Sequence, residues 1–167
     1  YGILAGAVFT GLVQSSAATV GIAIAMASEG FLSLPAGISL ALGANIGTCV
    51  TALMAAIGKP TEAVRAAVVH VTFNILGVAL WFFFIDDLAA VFTGTLTGKA
   101  GALAAQVQSS SVPRQIANAN TLFNVVNTVV FLPFAPLFAV LATKLVPEKE
   151  KPDVKIKPIF LDKSVLG

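Results

Sequence analysis

Leu12-Val13-Gln14-Ser15-Ser16-Ala17-Ala18-Thr19 decides how this chain folds. It sets three consecutive polar side chains at the centre of an uncharged run from Tyr1 to Ser28. Composition identifies the solvent around that run. With 57% hydrophobic and 11% charged residues and a mean hydropathy of +0.92, the chain has too few charges to cover a water-facing surface. It reads as an all-α integral membrane protein, with length for about four to six segments of roughly 20 residues. In hydrocarbon every polar group needs a partner, so Gln14-Ser15-Ser16 is either helix-packing glue or a binding site. Thirteen residues precede Gln14 and 12 follow Ser16. Each half therefore reaches about 18 to 20 Å at 1.5 Å per residue, just past a midplane roughly 15 Å deep. These lengths predict a re-entrant helical hairpin over 1–28 with the triplet at its tip; one long tilted helix is the alternative.

A second uncharged stretch, 30–58, carries Gly43-Ala44-Asn45-Ile46-Gly47-Thr48 at its middle. Glycine and asparagine tolerate left-handed backbone, and Thr48 can cap a restarting helix, so the spacing predicts a broken helix. The competing expectation is a continuous helix that uses Gly43 and Gly47, four apart, as a close-packing face. Lys59-Pro60-Thr61-Glu62 forms a loop with Thr61 as N-cap and Glu62 in the first turn of a helix whose uncharged part is 66–85. On that helix His70 and Asn74 share one face, with hydrogen bonding favoured over chemistry for His70. Asp86-Asp87 is expected to end it. Residues 93–113 read as an external loop, with a short surface helix over 100–107 and a decoy copy of the triplet at Gln108-Ser109-Ser110-Ser111. A closing helix over 115–143 carries Asn120, Asn124 and Asn127 as a stripe expected to pack inward. Pro133 and Pro136 interrupt it. Residues 1–146 thus form the membrane part and 147–167 a tail or linker.

Charge excludes some functions and orients the rest. A net charge of +2 without a basic patch gives no nucleic-acid footprint. Cys49 is the only cysteine and reads as a small buried thiol. One His, one Cys and no Asp or Glu within the uncharged stretches leave no acid–base pair or metal cluster, so enzyme activity is not expected. If 30–58, 66–85 and 115–143 each cross once, Lys59, Arg65, Lys144 and five tail lysines fall on one side, and Lys99 and Arg114 on the other. The positive-inside rule then places the C-terminal tail in the cytoplasm of a multi-pass protein of the plasma (bacterial inner) membrane.

Several motifs in order resemble one family. Val13-Gln14-Ser15-Ser16 precedes an Ala/Thr-rich half-helix; Gly43-Ala44-Asn45-Ile46-Gly47-Thr48 follows about thirty residues later; then come Arg65-Ala66-Ala67 with His70 and Phe73-Asn74. Together these resemble a repeat of the type II sodium–phosphate cotransporters. Ile116-Ala117, Thr121-Leu122-Phe123-Asn124 and Leu132-Pro133-Phe134 are similar to the closing helix of bacterial members. The resemblance covers essentially the whole chain. It implies the second of two inverted repeats, half of an inverted-repeat transporter with discontinuous transmembrane helices, completed by the first repeat of a longer protein or by a second copy. The missing initiator Met fits a fragment. Lys157-Pro158 and Leu161-Asp162 resemble the link to a cytoplasmic helical domain of the phosphate-regulator type. Two positions depart from the family pattern: Ala17 stands where it has a third serine, and Asn120 where members often have histidine.

The resemblance implies secondary active transport that couples sodium entry to inorganic phosphate uptake, with sodium as the coupling ion and no cofactor. A turn at Gln14–Ala17 would start a half-helix whose first N–H groups lack acceptors and attract an anion near the membrane midplane. Gln14, Ser15 and Ser16 are the expected phosphate ligands. Sodium takes oxygen ligands, and Gln14, Ser16, Asn45, Thr48 and Thr51, with carbonyls of an unwound 43–48 segment, are the expected set. His70, Asn74, Asn120 and Asn124 are expected to support them. A non-transporting membrane subunit, a phosphate-signalling scaffold and a small-ion channel are the other readings.

Overall fold

The computed structural model describes residues 1–93 and 111–148. Helix α1 (Gly2–Val13) and helix α2 (Ser16–Ser28) are joined at Gln14-Ser15. Gln14 adopts the left-handed conformation, φ 58° and ψ 29°, with its N–H on the Thr10 carbonyl. Ser15 is extended, and its hydroxyl accepts from the Ala18 N–H at 3.2 Å. One residue reverses the chain and the next caps the new helix, so the polar triplet forms the tip of a helical hairpin. Inside the hairpin the Thr10 and Thr19 hydroxyls meet at 2.6 Å, fully buried.

The next helix corrects the expected break. Helix α3 (Leu34–Ala56) runs without interruption through Gly43–Thr48. The polar side chains there fold back on their own helix: Asn45 Nδ2 donates to the Ala41 carbonyl at 2.9 Å and Thr48 Oγ1 to the Ala44 carbonyl at 2.8 Å. Both glycines serve close packing. A Cβ on Gly43 would overlap the Ile3 carbonyl, and one on Gly47 would sit 2.5 Å from the Ala7 oxygen. From the other side, a Cβ on Gly6 would strike the Leu40 carbonyl. In hydrocarbon, helices gain little from burying apolar surface and associate through close van der Waals contact, which glycines four apart permit.

Helix α4 (Thr61–Phe82) begins one residue earlier than a Thr61 cap would allow: Pro60 is the N-cap, Thr61 lies in the first turn and Glu62 follows it. Helix α4 ends at Phe82, shortly before Asp86 and Asp87. After a turn at Phe83-Phe84 they occupy the first turn of helix α5 (Ile85–Thr93), where negative charge faces the positive end of the helix dipole. Leu88, Ala89 and Phe92 of α5 bury against Leu34 and Ile38 of α3. Residues 94–110, including the expected 100–107 helix and the Gln108–Ser111 decoy up to Ser110, lie outside the described residues, as does 149–167. Helix α6 (Val112–Phe131) starts before residue 115, passes through a 3-10 turn at Leu132–Phe134 and continues as helix α7 (Ala135–Leu145). That turn is the interruption Pro133 and Pro136 predict.

Contact pairs give the helix directions. Gly2 meets Ser39, Gly6 meets Leu40, Ala7 and Thr10 meet Gly47, and Gly11 meets Val50, so α1 and α3 are parallel. Gly37 meets Ile116 and Asn45 meets Asn120, so α6 is parallel to both. Phe73 stacks edge-on with Phe131 and Trp81 with Phe123, so α4 is antiparallel to α6. At one end of the bundle Arg65 Nε donates to the Val146 carbonyl at 3.0 Å; at the other, Gln115 Nε2 donates to the Phe92 carbonyl at 3.0 Å. The first loop and the tail thus begin on the same side. Among the described residues, three helical stretches, Leu34–Ala56, Thr61–Phe82 and Val112–Leu145, are long and apolar enough to cross a membrane. Leu4, Leu12, Leu53 and Val129 point outward, as lipid requires.

Candidate functional site

Between the N-terminal half of α2, the middle of α3 and α6 lies a cleft of about 500 Å³, lined by Ser16, Ala17, Val20, Gly21, Ile24, Ala44, Asn45, Asn120 and Asn124. Each wall has a local reason. The Gln14–Ser15 reversal puts Ser16 and Ala17 in the first turn of α2, where their N–H groups precede any i−4 acceptor in the helix. Asn45 projects from the middle of α3 and gives its second Nδ2 hydrogen to Asn120 Oδ1 at 3.3 Å. Gly21 has nothing within 4 Å of where a Cβ would be, which keeps the cleft open along α2.

The cleft gathers Ser16 and Asn45 of the expected ligands and Asn120 and Asn124 of the expected supporting residues. The others lie elsewhere. Ser15 is occupied as the α2 cap. Gln14 is exposed, with Nε2 3.6 Å from Met54 Sδ in the last turns of α3. Met54 is nine residues beyond Asn45, about 13 Å along a helix, so the Gln14 amide is well removed from Asn45. Thr48 Oγ1 and Thr51 Oγ1 donate to carbonyls of their own helix, at 2.8 Å and 2.6 Å. The carbonyls of 43–48 belong to a continuous helix, so an unwound sodium cage does not exist there.

His70 and Asn74 do not present together. His70 lines a separate recess with alanines of α3 and α4, among them Ala56 and Ala67, whereas Asn74 is buried with Nδ2 on the His70 carbonyl at 2.9 Å. The asparagine stripe also divides. Asn120 faces α3, Asn124 opens to the cleft, and Asn127 turns into the α4–α6 contact, where its Oδ1 accepts from Trp81 Nε1 at 2.9 Å. Asn127 Nδ2 is buried without a partner, over Gly77. Ala17, a departure from the family motif, is a wall of the cleft, and its position two residues after an N-cap is the sequence signal for that role. Cys49 is buried, as expected.

A family model described as Na+/Pi-cotransporter matches residues 1–105. The chain belongs to the Na+/Pi-cotransporter family. Among relatives of this cotransporter family, it is 40% identical over 147 residues to the uncharacterized protein YqeW of Bacillus subtilis (strain 168), covering 88% of this chain and 44% of that protein. It is 38% identical over 84 residues to the human sodium-dependent phosphate transport protein 2C, covering 48% of this chain and 14% of that protein. The human sodium-dependent phosphate transport protein 2B is likewise 38% identical over 84 residues, with 48% of this chain and 12% of that protein covered. The chain thus spans less than half the length of these relatives. No solved structure matches it.

Proposed function

We propose that this chain supplies half of the binding site of a sodium-coupled phosphate transporter, with the anion held in the cleft between α2 and α3. One observation carries the reading: the cleft is lined both by the first turn of α2, at Ser16 and Ala17, and by the hydrogen-bonded Asn45–Asn120 pair in the middle of a helix long and apolar enough to cross a membrane. Uncommitted N–H groups and the positive end of a helix dipole favour an anion. The Ser16 hydroxyl and the Asn124 Nδ2 hydrogen not given to Asn120 orient it without a fixed charge that would slow release, while Asn45 holds Asn120 in place. The volume of about 500 Å³ accommodates a tetrahedral oxyanion with several waters at about 30 Å³ each. Sodium brings the compensating charge, so the anion is held poorly without the cation, and that difference couples the two gradients.

The other half of the site comes from the first inverted repeat of a longer protein or from a second copy. The tail faces the cytoplasm, as the cation count on the Lys59–Arg65 side indicates, and leads toward a phosphate-regulator-type domain. In the full-length protein reconstituted in liposomes, Asn45→Ala removes sodium-dependent phosphate uptake at unchanged membrane insertion. Uptake at the wild-type rate in that variant refutes the site.

A further inference from the structure

Where α6 gives way to α7, the side toward α4 holds a second hollow, of about 270 Å³, lined by Leu76, Phe131, Phe134, Leu137, Phe138 and Leu141. Phe131 and Phe138 meet edge-on with centroids 5.8 Å apart and form its floor; the other four are exposed and form its rim. From Phe131 to Leu141 the chain covers about 15 Å at 1.5 Å per residue, half of a hydrocarbon core of roughly 30 Å and so the depth of one leaflet. Both walls lead to a cation. On α7, Leu137, Leu141 and Lys144 follow the i, i+4, i+7 pattern and share a face. On α4, Arg65 precedes Leu76 by three helical turns and lies on the same face. Arg65 Nε donates to the Val146 carbonyl at 3.0 Å, which brings the two cations to one end of the hollow. Neither is in an ion pair among the described residues. Glu62 and Glu148 both lie further from the spanning segments than these cations do.

An apolar slot one leaflet deep that ends at two cations matches an amphiphile with a hydrocarbon tail and an anionic head. We propose that this hollow seats an anionic phospholipid of the leaflet on the tail side, with one acyl chain between α4 and α7 and the headgroup phosphate on Arg65 and Lys144. A guanidinium meets phosphate oxygens as a planar fork, and Lys144 adds a point charge. The lining argues against a further helix in that place. Helices approach closely in hydrocarbon where small residues thin the contact, as Gly43 and Gly47 do against α1. Here every lining residue is Leu or Phe. Such side chains hold a helix backbone away, whereas a flexible run of methylenes fits between them. Anionic lipids give the cytoplasmic leaflet its negative surface, which agrees with the orientation proposed for the tail. A lipid seated there braces the start of α4 against the end of α7, beside the Arg65–Val146 bond. This assignment makes no use of the anion cleft.

The test uses the full-length protein in phosphatidylcholine nanodiscs with a minor share of phosphatidylglycerol that carries a photoreactive diazirine in its acyl chain. Labelled positions are mapped by mass spectrometry. Adducts are expected on Leu76 and within 131–141, displaced by unlabelled phosphatidylglycerol and not by the same amount of phosphatidylcholine. Lys144→Gln should weaken the competing phosphatidylglycerol roughly five-fold, and Lys144→Gln with Arg65→Gln roughly 25-fold, the effect of one basic residue near an anionic surface taken once and twice. Lys99→Gln with Arg114→Gln removes as much charge on the opposite side and should leave the competition unchanged. Displacement by both lipids alike means ordinary bilayer contact and overturns the proposal. Labelling elsewhere but not at 131–141 means that another part of the protein covers the hollow, and overturns it too; the unaltered protein gives both results, so neither depends on a variant folding. In a second measurement, phosphatidylglycerol should raise the unfolding midpoint of delipidated protein in neutral detergent more than phosphatidylcholine does, whereas glycerol phosphate, the headgroup without chains, should not. An equal rise with glycerol phosphate would reduce the site to an anion contact without the slot and refute the lipid.

Discussion

Gly47→Ala tests whether the seam between α1 and α3 positions the hairpin. The added methyl would lie 2.5 Å from the Ala7 carbonyl oxygen and 2.5 Å from Thr10 Cβ, where ordinary contact begins at 3.4 Å. Neither neighbour is the free end of a flexible side chain, so α1 must back away by about an ångström. Overpacking of this kind costs about 1–3 kcal/mol. The displacement does not stay at the seam, because Thr10 is bonded to Thr19 of α2 and carries the start of α2 with it. Ser16 and Ala17 then shift relative to Asn45, two residues before the substitution. Thermal unfolding of the full-length protein in detergent should show a midpoint lowered on the order of 2 to 10 °C, and proteoliposomes should show phosphate uptake reduced at least ten-fold. Gly21→Ala is the control for stability, since nothing lies within 4 Å of that position, and its midpoint should match wild type. A Gly47→Ala protein with wild-type midpoint and uptake would refute the claim that this glycine seam sets the site.

Two further substitutions probe other contacts. Asn127→Ala leaves Trp81 Nε1 without its acceptor in a dry interface, which costs about 1–3 kcal/mol; an unfolding midpoint equal to wild type in detergent would show the indole does not depend on that amide. Gln14→Gly relieves the Cβ of a residue at φ 58°, so stability holds or rises by up to about 1 kcal/mol. Phosphate uptake should fall if the exposed Gln14 amide acts in transport, and uptake unchanged in this variant would remove Gln14 from the ligand set.

Much of the fold was legible in the residues, and the failures share a cause. A polar triplet between two apolar half-helices marks a hairpin tip because hydrocarbon leaves few other uses for it. Pro133 and Pro136 announce their interruption through their own rings. Gly43 and Gly47 are different, since glycine permits both an unwound backbone and a close neighbour. Only Ile3, Ala7 and Thr10, some forty residues away, decide between them. Asp86-Asp87 reads equally as an end or a beginning until α5 is seen packing Phe92 inward. The cleft was half legible for the same reason: Ser16 and Asn45 were singled out locally, but the Asn45–Asn120 bond joins residues 75 apart. The asparagine stripe then divides because neighbouring positions on α6 face different helices.

The buried hydroxyl pair in the hairpin ties its two arms together. Thr10 Oγ1 and Thr19 Oγ1 meet at 2.6 Å, and Thr19 Oγ1 also lies 3.2 Å from the Ser15 carbonyl, so one small network joins α1, α2 and the turn between them. Spreading the two arms would strand a donor and an acceptor where no water can replace them, a cost of several kcal/mol. The hairpin therefore travels as a single lever. If the cleft opens to alternate sides of the membrane, α1 and α2 move as one body across the glycine seam.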